Sequence, residues 1–175
     1  EHRAFDGTMW VRPDTFRAVI RDAVESLAHH GIDRVVVVNG HGGNVEALAE
    51  VCRRLTREGD AYAVPFTWFD AVDVDVPMGH AGAVETALLR HARPELVRED
   101  RIDDARAGAV ERWGEWVSGV NLAVDADEFS DNGVVGDPSA GDADLGAELL
   151  DQATESLGEL LTAVVERRRN DDGHE

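Results

Sequence analysis

The sequence predicts an α/β protein built on a mostly parallel sheet, and three observations lead there. The run from Ile32 to Val38, with its consecutive valines, has the unbroken β-branched character of a strand shielded on both faces. Amphipathic helical patterns flank it on either side. A second strand pattern, Ala61 to Phe69, follows the second helix at the interval of a right-handed strand, helix, strand crossover.

Each element has a local cause. Glu1 to Arg12 reads as an irregular or strand-like lead-in, after which Pro13 and Asp14 supply a helix start. Phe16, Val19, Ile20, Ala23, Val24 and Leu27 then recur at helical spacing and predict a helix over 13–30, ended by Gly31. The valine-rich strand belongs in the middle of the sheet. After the loop Asn39 to Gly43, a second helix begins at Asn44 with Val45, Leu48, Ala49, Cys52 and Leu55 on its apolar side. Cys52 on that stripe reads as a buried, inert thiol and not as a nucleophile. Asp70 to Gly79 alternates Asp and Val as a solvent-facing loop, and a third helix over 83–91 stops before Pro94. Arg98 to Asn132 mixes acids with Trp113, Trp116 and Phe129 and is expected to hold short strands or an active-site cover. The two tryptophans either cover a substrate or pack at a subunit interface. Gly133 to Gly141 is rich in turn residues and leads into a long last helix over 142–169. That helix carries Leu145, Leu149, Ala153, Leu157, Leu160, Leu161, Val164 and Val165 on one face, and a frayed tail follows in which His174 is an ordinary solvated residue.

Composition narrows the function classes. The 175 residues, 43% of them apolar, suffice for the core of one domain over 1–175, and no repeat or low-complexity linker marks a second. With 17 Lys+Arg against 36 Asp+Glu the formal net charge is −19, which repels phosphate backbones and excludes a nucleic-acid partner. All the basic residues are arginine, and the acids are spread along the chain in the manner of a salt-adapted protein. A single cysteine makes no internal disulfide framework. No apolar run is long enough for a bilayer span or a signal segment, so the expectation is a cytoplasmic protein without a membrane partner.

Chemistry-bearing residues gather in two places. The first is Asn39-Gly-His-Gly-Gly-Asn44, between a strand and a helix, where open α/β sheets collect ligands beyond the carboxyl ends of their strands. Its glycines permit positive φ and close approach of the backbone to a ligand, leaving His41 projecting as a candidate metal ligand. A plain tight turn, or an anion cradle at a helix start, would use the same residues. The second is Gly79-His-Ala-Gly-Ala-Val-Glu-Thr86. His80 stands just before a helix and Glu85 one turn inside it, so both can face a cavity over the strand ends. Together with His41 they make a divalent-metal site with one histidine left to move protons. Taken alone, Glu85 is also an ordinary first-turn acid.

Asn-Gly-His-Gly-Gly-Asn at 39–44, His-Ala-Gly with Glu-Thr at 80–86, Gly-Asp-Pro at 136–138, and Glu1-His2 with Phe5, Gly7 and Thr8 resemble, in order along nearly the whole chain, the creatininase family of metal-dependent amidohydrolases. In the opening motif Asp6 stands where that family usually has proline. The resemblance implies a three-layer α/β/α sandwich, usually a homo-oligomer, with one or two divalent ions (zinc, iron or manganese), hydrolysing C–N bonds of small cyclic amides or formamides. By position it makes His41 a metal ligand, Glu85 a metal ligand or a carboxylate close behind one, and His80 the residue that protonates the departing nitrogen. Asn39, Gly40, Gly42, Gly43 and Asn44 would line the cavity, and His2 would contact substrate. Water activated by the ion would attack the amide carbonyl.

Two departures refine that implication. Gly43 stands where creatininase proper has a glutamate, and Val76, Pro77 and Met78 stand where it has a substrate-covering tryptophan, which argues against creatinine as the substrate. The Gly-Gly loop resembles the branch containing the archaeal formylaminopyrimidine nucleotide deformylase of flavin and deazaflavin biosynthesis and the mycofactocin peptide-processing enzyme. A lysine-free acidic composition suits a halophilic archaeon and so favours the first. The second departure is that the family's opening strand, with a Glu-x-His and an Asp that complete the metal site, has no counterpart before His41. His41 and Glu85 supply two of the about three protein ligands that a water-activating ion needs. The chain therefore reads as a fragment of a longer product, with a decayed paralogue as the alternative, and by itself is expected to bind metal poorly and turn over nothing. The rival classes are a non-catalytic binding or oligomerisation module and a phosphate-binding protein.

The charge has a direct consequence. Self-repulsion at −19 is screened by salt. The melting temperature should rise between dilute buffer and molar KCl, as followed by circular dichroism; a flat or falling profile would remove the salt-adaptation reading.

Overall fold

A computed structural model describes residues 2–167. Glu1, the expected end of the last helix past Arg167, and the tail with His174 lie outside the described residues. The chain divides into two compact units, one of Val11–Ala71 with Ala153–Glu175, the other of Glu1–Trp10 with Val72–Gln152.

The first unit opens with helix α1 (Pro13–His29), started by proline at its first position, with Asp14 in its first turn. Strand β1 (Arg34–Asn39), helix α2 (Val45–Glu58) and strand β2 (Tyr62–Thr67) follow. The two strands pair in parallel, Val36 opposite Val64 and Asn39 opposite Thr67, so α2 is the crossover that the spacing of the two strand patterns predicts. The core is Val24, Leu48, Val51, Cys52, Leu55, Ala61 and Ala63, with Phe16, Ile20, Ala28, Val35 and Val37 packed against it. Thr56 ties α2 to β2 at two points: its hydroxyl donates to the Ala63 carbonyl and accepts from the Ala63 N–H, both at 3.0 Å.

Three expectations are corrected here. The apolar face of α1 is narrower than its periodicity suggests, because Val19 is 59% exposed and Leu27 37% exposed while Val24 is buried. The valine strand is not shielded on both faces: Val38 is 57% exposed. Among the described residues the parallel sheet has two strands, so β1 has one strand neighbour and does not sit in the middle. Hydrophobic runs report how much cover a strand can use, and the number of neighbours is set elsewhere in the chain. Pro65, inside β2, has no N–H to give to a second neighbour, and it fits a strand paired on one side.

The second unit contains helix α3 (Ala83–Ala92), the short helix α4 (Ile102–Ala107) and a small antiparallel hairpin of strand β3 (Trp116–Val117) and strand β4 (Val120–Asn121). The hairpin matches the expectation of short strands between 98 and 132, whereas α4, too short for a legible period, was not anticipated. Helix α5 (Ala143–Glu166) starts in this unit and continues into the first, with Asp142 capping it by accepting the Leu145 N–H at 2.9 Å. Val84, Ala87, Ala126, Val135 and Leu149 are buried in the second unit. No helix among the described residues is long and apolar enough to cross a membrane.

Cys52 is 1% exposed, and burial pushes its thiol up to about 11 from an ordinary 9.0. The native state thus holds this proton more tightly than the unfolded state does. Its contribution is complete below pH 9.0 and lost as pH rises toward about 11. Urea titrations from pH 8 to 11 should show a stability decline that is shallower in Cys52→Ala; identical slopes would contradict this placement.

Candidate active site

In the second unit the loop ahead of α3 presents a histidine. His80 pairs with Val135 as in an antiparallel strand, its N–H donating to the Val135 carbonyl at 2.9 Å and its own carbonyl accepting the Val135 N–H at 2.8 Å. The pairing continues on the far side, where the Gly136 N–H donates to the Val110 carbonyl at 2.7 Å. Gly79, immediately before His80, has φ +60°, and a Cβ there would lie 2.1 Å from the Val135 oxygen. Ala81, immediately after, also has positive φ, at 49°. His80 is thus pinned between two left-handed residues.

Glu85 reaches back from the first turn of α3, as its place one turn inside the helix predicts. Its Oε2 accepts the Ala81 N–H at 2.5 Å and lies 3.7 Å from His80 Nδ1, an ion-pair distance and not a hydrogen bond. Both side chains are about one third exposed, His80 34% and Glu85 32%. His2 stacks on the other side, its ring centroid 4.2 Å from that of His80 at an interplanar angle of 25°. Trp113 meets both imidazoles edge-on, 5.3 Å from His2 and 6.2 Å from His80. The structure therefore brings together His2, His80 and Glu85, and adds Trp113.

The Gly-Asp-Pro segment serves as the frame behind this cluster. Asp137 accepts the Ser139 hydroxyl at 2.6 Å and the Ser139 N–H at 2.8 Å, and these bonds hold its carboxyl below the usual carboxylate range. Arg90, on α3, donates to the carbonyls of Pro138, at 3.2 Å, and Gly141. Its Nε and Nη2 grip Glu99 at 2.8 and 2.7 Å, and that hydrogen bonding lowers the Glu99 carboxyl. Sequence reasoning missed Arg90. A cation among the apolar residues of α3 was the available signal.

The loop 39–44 lies in the first unit. Asn39, at the end of β1, is 4% exposed and organises it: the amide nitrogen donates to the His41 carbonyl at 3.0 Å and to the Thr67 hydroxyl at 3.3 Å, while its oxygen accepts the His41 N–H at 3.2 Å. Asn44 adds its own amide to that oxygen at 3.5 Å. Gly42–Asn44 form a single 3₁₀ turn, closed by the Asn44 N–H on the His41 carbonyl at 3.1 Å. The expected positive φ is absent at Gly40, Gly42 and Gly43; the last two lie in the 3₁₀ turn, which uses the ordinary negative side of φ. His41 precedes the turn in extended conformation and is exposed.

Among the described residues no three His, Cys, Asp or Glu side chains gather so as to hold a metal ion. An ion that activates water takes about three protein ligands. The described donors therefore do not by themselves amount to such a site.

Residues 1–161 match the family model for creatininase, creatinine amidohydrolase. The chain belongs to the creatininase family. It is 33% identical over 162 residues to the "Mycofactocin precursor peptide peptidase" of Mycobacterium ulcerans strain Agy99, a match covering 90% of this chain and 60% of that protein. The chain thus spans about 60% of the length of that relative. A mutant creatininase complexed with creatine superposes with a TM-score of 0.72 at 22% identity, covering 94% of this chain and 69% of that one. A structure named "Creatininase Mn" gives 0.68 at 22% identity over 90% of this chain and 66% of that one. These likenesses show the creatininase fold and its α/β class.

The backbone pairing at His80 depends on Gly79. Gly79→Ala should destabilise the protein by about 1–3 kcal/mol, the range for a left-handed non-glycine residue, and displace the His80 ring. A urea titration indistinguishable from that of the parent would show the loop to be looser than its bonds imply.

Proposed function

We propose that this chain contributes to hydrolysis of an amide C–N bond in a peptide, with His80 moving the proton. The likeness to a protein named a peptide peptidase, over 90% of this chain, carries that reading. The His80–Glu85 arrangement supports it: Glu85 faces Nδ1, so Nε2 is the ring nitrogen turned away from the carboxylate and suited to give a proton to a departing nitrogen. His2, stacked on His80, is the proposed substrate contact.

Metal enters this proposal only through the donors the chain offers. His41 in the first unit and Glu85 in the second are each a proposed donor, and no step is assigned to an ion, since the described residues fall short of a full ligand set. The formamide reading, a formylaminopyrimidine nucleotide deformylase, is the other arm of the same test.

The full chain in molar KCl would be offered a library of short peptides, an N-formylaminopyrimidine and creatinine, with products read by mass spectrometry. With zinc, iron or manganese supplied in excess to offset the incomplete ligand set, peptide cleavage is the expected result. Cleavage of the formamide alone would move the assignment to a deformylase, and no cleavage of any would favour a binding module. His80→Ala should lower kcat by about 10²- to 10⁴-fold, the usual worth of a positioned acid or base, with metal content by elemental analysis unchanged. Equal loss of metal and turnover would refute the division of roles between His80 and its neighbours.

A further inference from the structure

Trp113 stands outside the predicted proton-transfer set, yet the local fold spends several interactions on fixing its ring. Its carbonyl accepts the indole N–H of Trp116 at 2.7 Å. The next residue, Gly114, has φ +76°, and a Cβ there would lie 2.4 Å from the Asn121 Oδ1. That oxygen accepts the N–H of Glu115 at 2.9 Å and of Ala123 at 3.2 Å, which staples the start of the β3–β4 hairpin to its end. Phe129 packs against the Trp113 ring at a tilt of 72°, centroids 5.1 Å apart. Trp116, in contrast, is 47% exposed and serves as the brace.

What this platform presents is the edge-on contact with His2 and His80. An imidazole that gives up a proton must hold one ring orientation, and His80 is one third exposed with its carboxylate neighbour beyond hydrogen-bond distance. Glu85 alone therefore leaves the ring free to turn about its side-chain bonds. The stack with His2 and the wall of Trp113 close off that rotation from the faces that Glu85 does not reach.

We propose that Trp113 is a positioning residue that fixes the ring orientation of His80, held for that purpose by the Trp116 and Asn121 platform. The contribution to catalysis rests on the peptide-hydrolase reading; the contribution to ring geometry does not. Its test therefore has two readouts on the full chain in molar KCl. The first is the carbon-bound proton resonance of the His80 ring, assigned by its loss in His80→Ala. Trp113→Ala should move this resonance by removing the indole's own ring current as well as the contact, so the deciding variant is Asn121→Ala, which keeps both rings and should also displace it. An unmoved resonance in either folded variant overturns the proposal, whatever activity the protein has.

The second readout is kinetic, on whichever amide substrate is turned over. Trp113→Ala should lower kcat about 10- to 100-fold, the cost of a misplaced catalytic group, with KM nearly unchanged and Trp113→Phe restoring most of the loss. A raised KM at unchanged kcat would make Trp113 a substrate-binding wall and overturn positioning. Should Trp113→Ala fail to fold, Asn121→Ala releases the platform from the hairpin side and must move the same His80 resonance; if it does not, the platform has no hold on the ring.

Discussion

The exchange of backbone hydrogen bonds between His80 and Val135 is the contact on which the histidine cluster depends. It joins a loop before α3 to a segment more than fifty residues later, at 2.9 and 2.8 Å, and so turns a flexible glycine-containing loop into a short piece of sheet. With the backbone held there, the His80 side chain has one direction in which to leave, and Glu85, His2 and Trp113 can each meet it from a fixed place. Arg90 secures the same frame from behind by binding the carbonyls of Pro138 and Gly141. Val135 is 1% exposed, so water does not compete for its amide or carbonyl.

Charge plays a different part in this molecule. Its ion pairs are mostly at the surface, such as Arg93 with Glu95 and Arg101 with Asp104, where solvent and salt leave each pair little net worth. The net charge of −19 acts instead as a field over the whole surface, favouring solubility and opposing compaction. Arg90 is the exception in kind. Its side chain is 16% exposed, and it combines a two-point grip on Glu99 with hydrogen bonds to main-chain carbonyls, so it orders a loop as well as neutralising a charge.

Local chemistry was readable wherever a residue's neighbours along the chain decide its state. Pro13 marked the start of α1, the stripe through Leu48, Cys52 and Leu55 marked the buried face of α2, and the two strand patterns with a helix between them announced a parallel pair. His80 just before α3 and Glu85 inside its first turn were expected to face one cavity, and the structure sets them 3.7 Å apart because a helix start is a short-range object. Where a longer-range partner decides, the pattern misled. The valines of β1 could not say how many strands would flank them, and the glycines of the 39–44 loop read as left-handed although the buried Asn39 amide organises that loop through a 3₁₀ turn.

The amino-acid sequence by itself determined the order and type of α1, β1, α2, β2, α3 and α5 and the burial of Cys52, because periodicity acts over one or two turns of chain, and its motifs carried the likeness to the family. Only the tertiary structure decided that His2 stacks on His80, that Trp113 and not Trp116 faces the imidazoles, and that Val135 holds the loop. Those contacts join residues far apart in sequence, and ring packing and backbone pairing at such distances are set by where each loop returns, which no local pattern encodes.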